Sequence, residues 1–189
     1  MREPLASTVR SQRRLATTLA VGALLAASGA LLLKPGSSPS RAAGVVVPLA
    51  ARSPAPPLTG PVLVPPPISL ESPTDRVLFV NFWASWCRPC RQEAPELARF
   101  ASGLRRTRGI LVGVDVNDQP REALGFLRRF GLHGSQVRDP HANLVAAYRL
   151  LGLPTTVVID GNGKIAARLL GPQTAESLRD VLRRVRAGT

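Results

Sequence analysis

Eight residues constrain this chain more than any other stretch: Trp83-Ala84-Ser85-Trp86-Cys87-Arg88-Pro89-Cys90, which hold the only two cysteines in 189 residues. An apolar run, Val77-Leu78-Phe79-Val80-Asn81-Phe82, leads into it, and Leu97, Phe100, Ala101 and Leu104 follow at helical spacing. The pattern predicts a buried strand that gives way, at the cysteines, to the first turn of a helix. The first N–H groups of a helix have no intrahelical partner, and the helix dipole is positive there. A thiolate at Cys87 would be stabilised by both, so its pKa is expected to fall below the free value of about 8.5. Cys90 lies one turn on, within reach of the same sulfur. Cys87 can then attack a disulfide in another molecule, and Cys90 can resolve the mixed disulfide. Pro89 is tolerated near a helix start because the N–H it lacks would have been unpaired.

Two plainer readings compete, a structural disulfide and half of a zinc site. Zinc normally needs four ligands. The chain has no second cysteine pair, and His133 and His141 have no metal-ligand spacing to the first. A bridge across two intervening residues closes too small a loop to stabilise a fold much. Redox chemistry is therefore the reading carried forward, with no metal and no cofactor beyond the redox-active disulfide.

The net charge of +13, from 23 Arg and 2 Lys against 12 acids, invites a nucleic-acid reading. The arginines are spread along the chain, however, and no aromatic-interleaved basic motif occurs. The charge reads as a solvated, Arg-biased surface, with a weak attraction for anionic lipid or acidic partners.

Residues 15–33 run without a charge. Nineteen helical residues span about 28 Å, close to the hydrocarbon thickness of a bilayer. Arg2, Arg10, Arg13 and Arg14 precede the run, and Lys34 and Arg41 follow at lower density. The positive-inside rule then puts residues 1–14 in the cytoplasm and everything after residue 34 outside. The rival is a cleaved signal peptide, with small-residue sites near Ala42-Ala43 and Ala50-Ala51. The apolar core exceeds the roughly 7–15 residues usual for such peptides, so a single-pass anchor in a bacterial cytoplasmic membrane is preferred over a secreted protein. Residues 34–75 contain 11 of the 18 prolines and read as an extended tether. Ile68-Ser69-Leu70 is a candidate edge strand, and the folded domain is expected over 76–189.

Along that domain, strands are predicted at 77–82, 109–116 and 155–160. A short extended piece is expected at Gln136–Arg138. Gly161-Asn162-Gly163-Lys164 signals a hairpin that pairs 165–170 with the strand before it. Helices are expected at 88–106, with Pro95 inside and a kink there. Others are expected from Asp118 and Pro120 to Phe130, with Gly131 ending it, at about 141–148, and at 174–187. Alternating strands and helices imply an α/β domain whose mixed sheet is covered on both faces.

Trp-Cys-X-X-Cys after a strand, Pro95 five residues beyond Cys90, and Gly152-Leu153-Pro154-Thr155-Thr156 before a strand together resemble thioredoxin. Val80-Asn81-Phe82-Trp83-Ala84-Ser85-Trp86-Cys87, Asp139-Pro140, Tyr148 and Leu153–Asp160 are more similar to the membrane-anchored TlpA/ResA-like branch, with 118–150 as its central insertion. The resemblance covers about 77–187. It implies a thioredoxin-like mixed sheet sandwiched by helices, and an extracytoplasmic thiol–disulfide oxidoreductase that reduces protein disulfides. Apocytochrome c or a metal-site protein would be its substrate, and a membrane thiol carrier of the DsbD/CcdA kind its electron donor. It further implies that Pro154 is cis and that Leu153 offers its backbone, beside Trp86, to an extended substrate. Asn81 takes the place of thioredoxin's buried aspartate. Glu93, three residues after Cys90, would tune the cysteines' protonation; a solvated helix carboxylate is the alternative. Arg88 departs from the family's usual residues between the cysteines. A cation there favours a Cys87 thiolate and leans toward oxidising behaviour. A disulfide-forming oxidase, and a non-enzymatic metal chaperone or docking module, are therefore carried as rivals.

Overall fold

The structure is a computed structural model and describes residues 45–67, 76–104 and 107–188. Among them no helix is long and apolar enough to cross a membrane. The apolar run 15–33, the cytoplasmic segment 1–14 and the candidate strand Ile68-Ser69-Leu70 lie outside the described residues.

Strand β2 (Val77–Trp83) is buried at all seven positions, which a strand covered on both faces requires. It pairs in parallel with β3 (Gly109–Val116), and β3 in parallel with β4 (Gln136–Asp139). On its other side β2 pairs antiparallel with β5 (Thr155–Ile159), which turns back into β6 (Ile165–Leu170). A short β1 (Val62–Val64) closes the far edge against β4, giving the order β1-β4-β3-β2-β5-β6.

Alternation along the strands splits the core in two. Phe79 and Trp83 face one side with Leu97 and Phe100 of α1 (Arg88–Leu104), Phe126 of α2 (Pro120–Phe130) and Leu178 of α4 (Ala175–Ala187). Val80, Phe82, Val112 and Val114 face the other, with Leu144 of α3 (Asn143–Ala147), Tyr148 and Leu58. Two close approaches tighten the first side. Trp83 stacks on Phe126 at 4.5 Å and donates its indole N–H to Gln136 Oε1 at 3.1 Å. That amide lies over Gly113, where a Cβ would stand 1.7 Å from Gln136 Oε1 and displace it from Trp83.

Helix α1 runs through Pro95 to Leu104. Helix α2 ends where Gly131 takes a left-handed φ of 64° and Leu132 N–H returns to the Leu127 carbonyl, satisfying an orphan acceptor. Helix α3 is shorter than the expected 141–148. Ala142 has φ 56°, which breaks the helix before Asn143, and Asp139 Oδ2 accepts the Val145 N–H at 3.0 Å.

The largest departure concerns the proline-rich segment. Composition read all of 34–75 as a tether, but the described part packs along the domain. Val46 and Pro54 bridge Ala167 and Lys164 beside β6, Leu58 is buried in the core, and 62–64 form β1. Arg52 and Asp160 form an ion pair at 3.1 Å with side chains only 1% and 6% exposed. Tyr148 donates its O–H to the Pro56 carbonyl at 2.6 Å. Proline lacks the N–H for a continuous ladder, so the strap docks through isolated bridges and side chains.

Candidate active site

Cys87 and Cys90 stand at the N-terminal end of α1, 5% and 2% exposed, and are disulfide-bonded. The Cys90 N–H donates to Cys87 Sγ at 3.2 Å. One of the helix's unpaired amides is thus spent on the first sulfur, which favours charge there. Arg88 and Pro89 between them are exposed, as is Trp86 at 57%. Pro154 is buried and the Leu153–Pro154 peptide is cis. Phe82 pairs with Thr155, so this loop lies at the same end of the sheet as the cysteines.

Glu93 is not a solvated carboxylate: it is 1% exposed on the buried face of α1, one turn beyond Cys90. Its Oε1 accepts the Gln173 N–H at 3.0 Å and its Oε2 accepts Asn81 Nδ2, also at 3.0 Å. Asn81 in turn donates to Thr156 Oγ1 at 3.0 Å. Burial pushes the Glu93 pKa from 4.5 up to about 7, against the Gln173 and Asn81 hydrogen bonds, which favour the charged form. The carboxyl can therefore exchange a proton near neutrality. Asn81, in the place of thioredoxin's buried aspartate, serves as a donor that fixes this acid.

Between about pH 4.5 and about 7 the folded chain keeps on Glu93 a proton that the unfolded chain has lost, so this group's contribution declines as pH rises through that window. The shift corresponds to roughly 3 kcal/mol. Glu93→Gln is expected to lessen the fall in urea-unfolding free energy between pH 5 and pH 8 by this group's share, roughly 3 kcal/mol. An unchanged pH dependence in the variant would show that Glu93 is not the titrating group.

The loop carrying Cys87 is clamped by groups of the segment after β3 and of α1. Ser85 donates its N–H to Asp118 Oδ2 at 2.5 Å and its Oγ–H to Oδ1 at 2.9 Å. Trp86 Nε1 donates to the Asn117 carbonyl at 3.0 Å, and Arg91 Nε to the Ser85 carbonyl at 2.7 Å. Asn117 reaches its position with φ 48°, which asparagine tolerates better than most residues. Asp118, read from sequence as a helix start, is thus chiefly a clamp on this loop. Gln119 caps α2 without a side-chain bond. The sequence assigned no role to Thr156, which it showed only as part of the Gly152–Thr156 motif, nor to Gln173 and Asp115. The only available signal was polarity at positions inside apolar runs, which Asp115 and Thr156 show.

Among the described residues, no group of three His, Cys, Asp or Glu could hold a metal ion. Residues 51–168 match the AhpC/TSA family. The chain is 36% identical over 131 residues to the thiol:disulfide interchange protein HelX of Rhodobacter capsulatus, spanning 65% of this chain and 72% of HelX. It is 27% identical over 121 residues to the thiol-disulfide oxidoreductase ResA of Bacillus subtilis, spanning 64% and 68%. The solved structure of a secreted thiol-disulfide isomerase from Corynebacterium glutamicum superposes with a TM-score of 0.69 at 26% identity, covering 80% of this chain and 96% of that one.

Proposed function

We propose, from the premise that the chain belongs to the AhpC/TSA family, that this thioredoxin-like thiol–disulfide oxidoreductase reduces protein disulfides outside the cytoplasm. The observation that carries the reading is a redox cysteine pair at a helix N-terminus with a buried acid, titrating near neutrality, one turn beneath it. The Cys87 thiolate attacks one sulfur of a substrate disulfide. That S–S bond breaks, and the departing sulfur takes the electron pair and a proton from water. Cys90 gives its proton to the Glu93 carboxylate and attacks Cys87 Sγ. The Cys87–Cys90 bond forms, and the second substrate sulfur leaves with its pair and takes up a proton. The substrate gains two electrons and two protons, and the enzyme ends oxidised.

Trp86 and the Leu153 backbone beside cis Pro154 receive the extended substrate, and Arg88 favours the Cys87 thiolate. The apolar run 15–33 anchors the protein, and similarity to a secreted Corynebacterium protein supports export. An exported reductant needs a reducing partner, since the oxidising side of the membrane has no thioredoxin pool. A membrane thiol carrier of the DsbD/CcdA kind supplies it, and apocytochrome c or a metal-site protein is the substrate.

Arg88 also favours the opposite direction, because a cation that stabilises the reduced pair makes the disulfide a stronger oxidant. The reduction potential of the Cys87–Cys90 pair decides between them. A reductant is expected near the value of about −270 mV held by thioredoxin, and a value approaching the −120 mV or so of DsbA would make the protein a disulfide-forming oxidase.

A further inference from the structure

Beneath the clamped loop lies a buried acid that the exchange reaction does not use. Asp115, near the end of β3, is 1% exposed, and neither carboxylate oxygen receives a hydrogen bond from a donor group. Arg138 of β4 approaches no closer than 3.8 Å through Nε, which is itself buried and unpartnered, while its Nη2 donates to the Asp118 carbonyl at 3.2 Å. Across the ladder from β2 stands Trp83, which carries no charge. The other acid facing Asp115 is Asp118, close enough for a side-chain hydrogen bond between the two carboxyls.

We infer that Asp115 is a positioning residue for the redox site: it shares a proton with Asp118, and the pair braces the loop that presents Trp86 and Cys87. A buried carboxylate with two bare oxygens is strongly disfavoured. One shared proton removes the cost, because the Asp115 hydroxyl donates to Asp118 and Asp118 remains the acceptor for Ser85 N–H, Ser85 Oγ–H and Gln119 N–H. Burial first, and the Asp118 charge second, push the Asp115 pKa from 3.8 to about 7, with Arg138 opposing. The brace therefore holds while Asp115 keeps its proton and is lost as pH rises through about 7, when two like charges face each other under the loop. Asparagine at 115 offers a permanent donor to Asp118 and needs no proton.

The effect on reactivity rests on Cys87 being the attacking sulfur, whereas the titration itself does not. Two backbone amides report the two buried acids separately: Ser85 N–H binds Asp118, and Gln173 N–H binds Glu93. In the oxidised full chain, where the cysteines do not titrate, the Ser85 amide shift is expected to step near pH 7 in the native protein and in Glu93→Gln. It should be flat in Asp115→Asn, while the Gln173 step survives there. A flat Ser85 profile in the native protein, or a step that persists in Asp115→Asn or vanishes in Glu93→Gln, overturns the proposal. For the reduced protein reacting with glutathione disulfide, the ratio of the Asp115→Asn rate to the native rate should be near one at pH 6 and rise at least threefold by pH 8. A ratio constant with pH would refute the link to the reacting loop. The native amide titration stands even if the variant fails to fold.

Discussion

Cys87→Ser is expected to bring thiol–disulfide exchange down to the uncatalysed background, whereas Cys90→Ser should retain the first attack and stall as a mixed disulfide. The asymmetry comes from position. Cys87 Sγ receives the Cys90 N–H at the head of α1 and sits beside exposed Trp86 and Arg88. A serine hydroxyl there has a pKa far above neutrality and supplies almost no nucleophile. Cys90 is the more buried of the two, at 2%, and faces the Glu93 side of the helix. Its sulfur is expected to act only once a mixed disulfide has formed. Mass spectrometry of cells expressing Cys90→Ser should find partners linked through Cys87. In the reduced native protein, Cys87 should alkylate fast near pH 7 while Cys90 resists. Equal labelling of the two would contradict the division of labour. A phenotype that survives the double Cys87→Ser, Cys90→Ser variant would identify a docking module instead of an enzyme.

Arg52→Ala should cost about 3–5 kcal/mol, the range for breaking a buried ion pair from one side. That is a large share of the roughly 5–15 kcal/mol by which a domain is stable. The loss is severe because Asp160 keeps its place. Its Oδ1 still accepts Asn162 and Lys164 N–H in the β5–β6 turn, so Oδ2 is left buried and charged without its cation. Arg52 Nε also holds the Val47 carbonyl at 2.9 Å, so the strap would loosen along its length. Urea unfolding of the native chain and Arg52→Ala measures the difference. A loss below about 1 kcal/mol, the worth of an exposed pair, would mean that the strap is not part of the domain. Truncation before residue 59 should be worse, because it also removes Leu58 from the core and the Pro56 carbonyl from the Tyr148 hydroxyl.

Much of the architecture from residue 77 onward is written locally. Apolar runs at 77–83, 109–116 and 155–159 are strands because the sheet buries them on both faces. Gly131 and the Gly161–Lys164 turn end their elements through backbone preference alone, and the cysteine spacing at a strand–helix junction is enough to specify redox chemistry. Local pattern failed where the partner is distant in sequence. The strap's prolines look like a linker because nothing near them shows that Arg52 will meet Asp160, 108 residues on. Glu93 lies on the cysteine side of α1 by helical spacing. Whether that side meets water or the Gln173 amide depends on where the last connection packs, 80 residues away. Asp115 was one polar residue in an apolar strand and Asp118 a helix signal. Sequence by itself determined most of the elements from residue 77 onward and the place of the cysteine pair, because hydrophobic period and turn chemistry are local properties. Only the tertiary structure decided which carboxyls are buried and what faces them, because desolvation and charge proximity are set by groups that folding brings together.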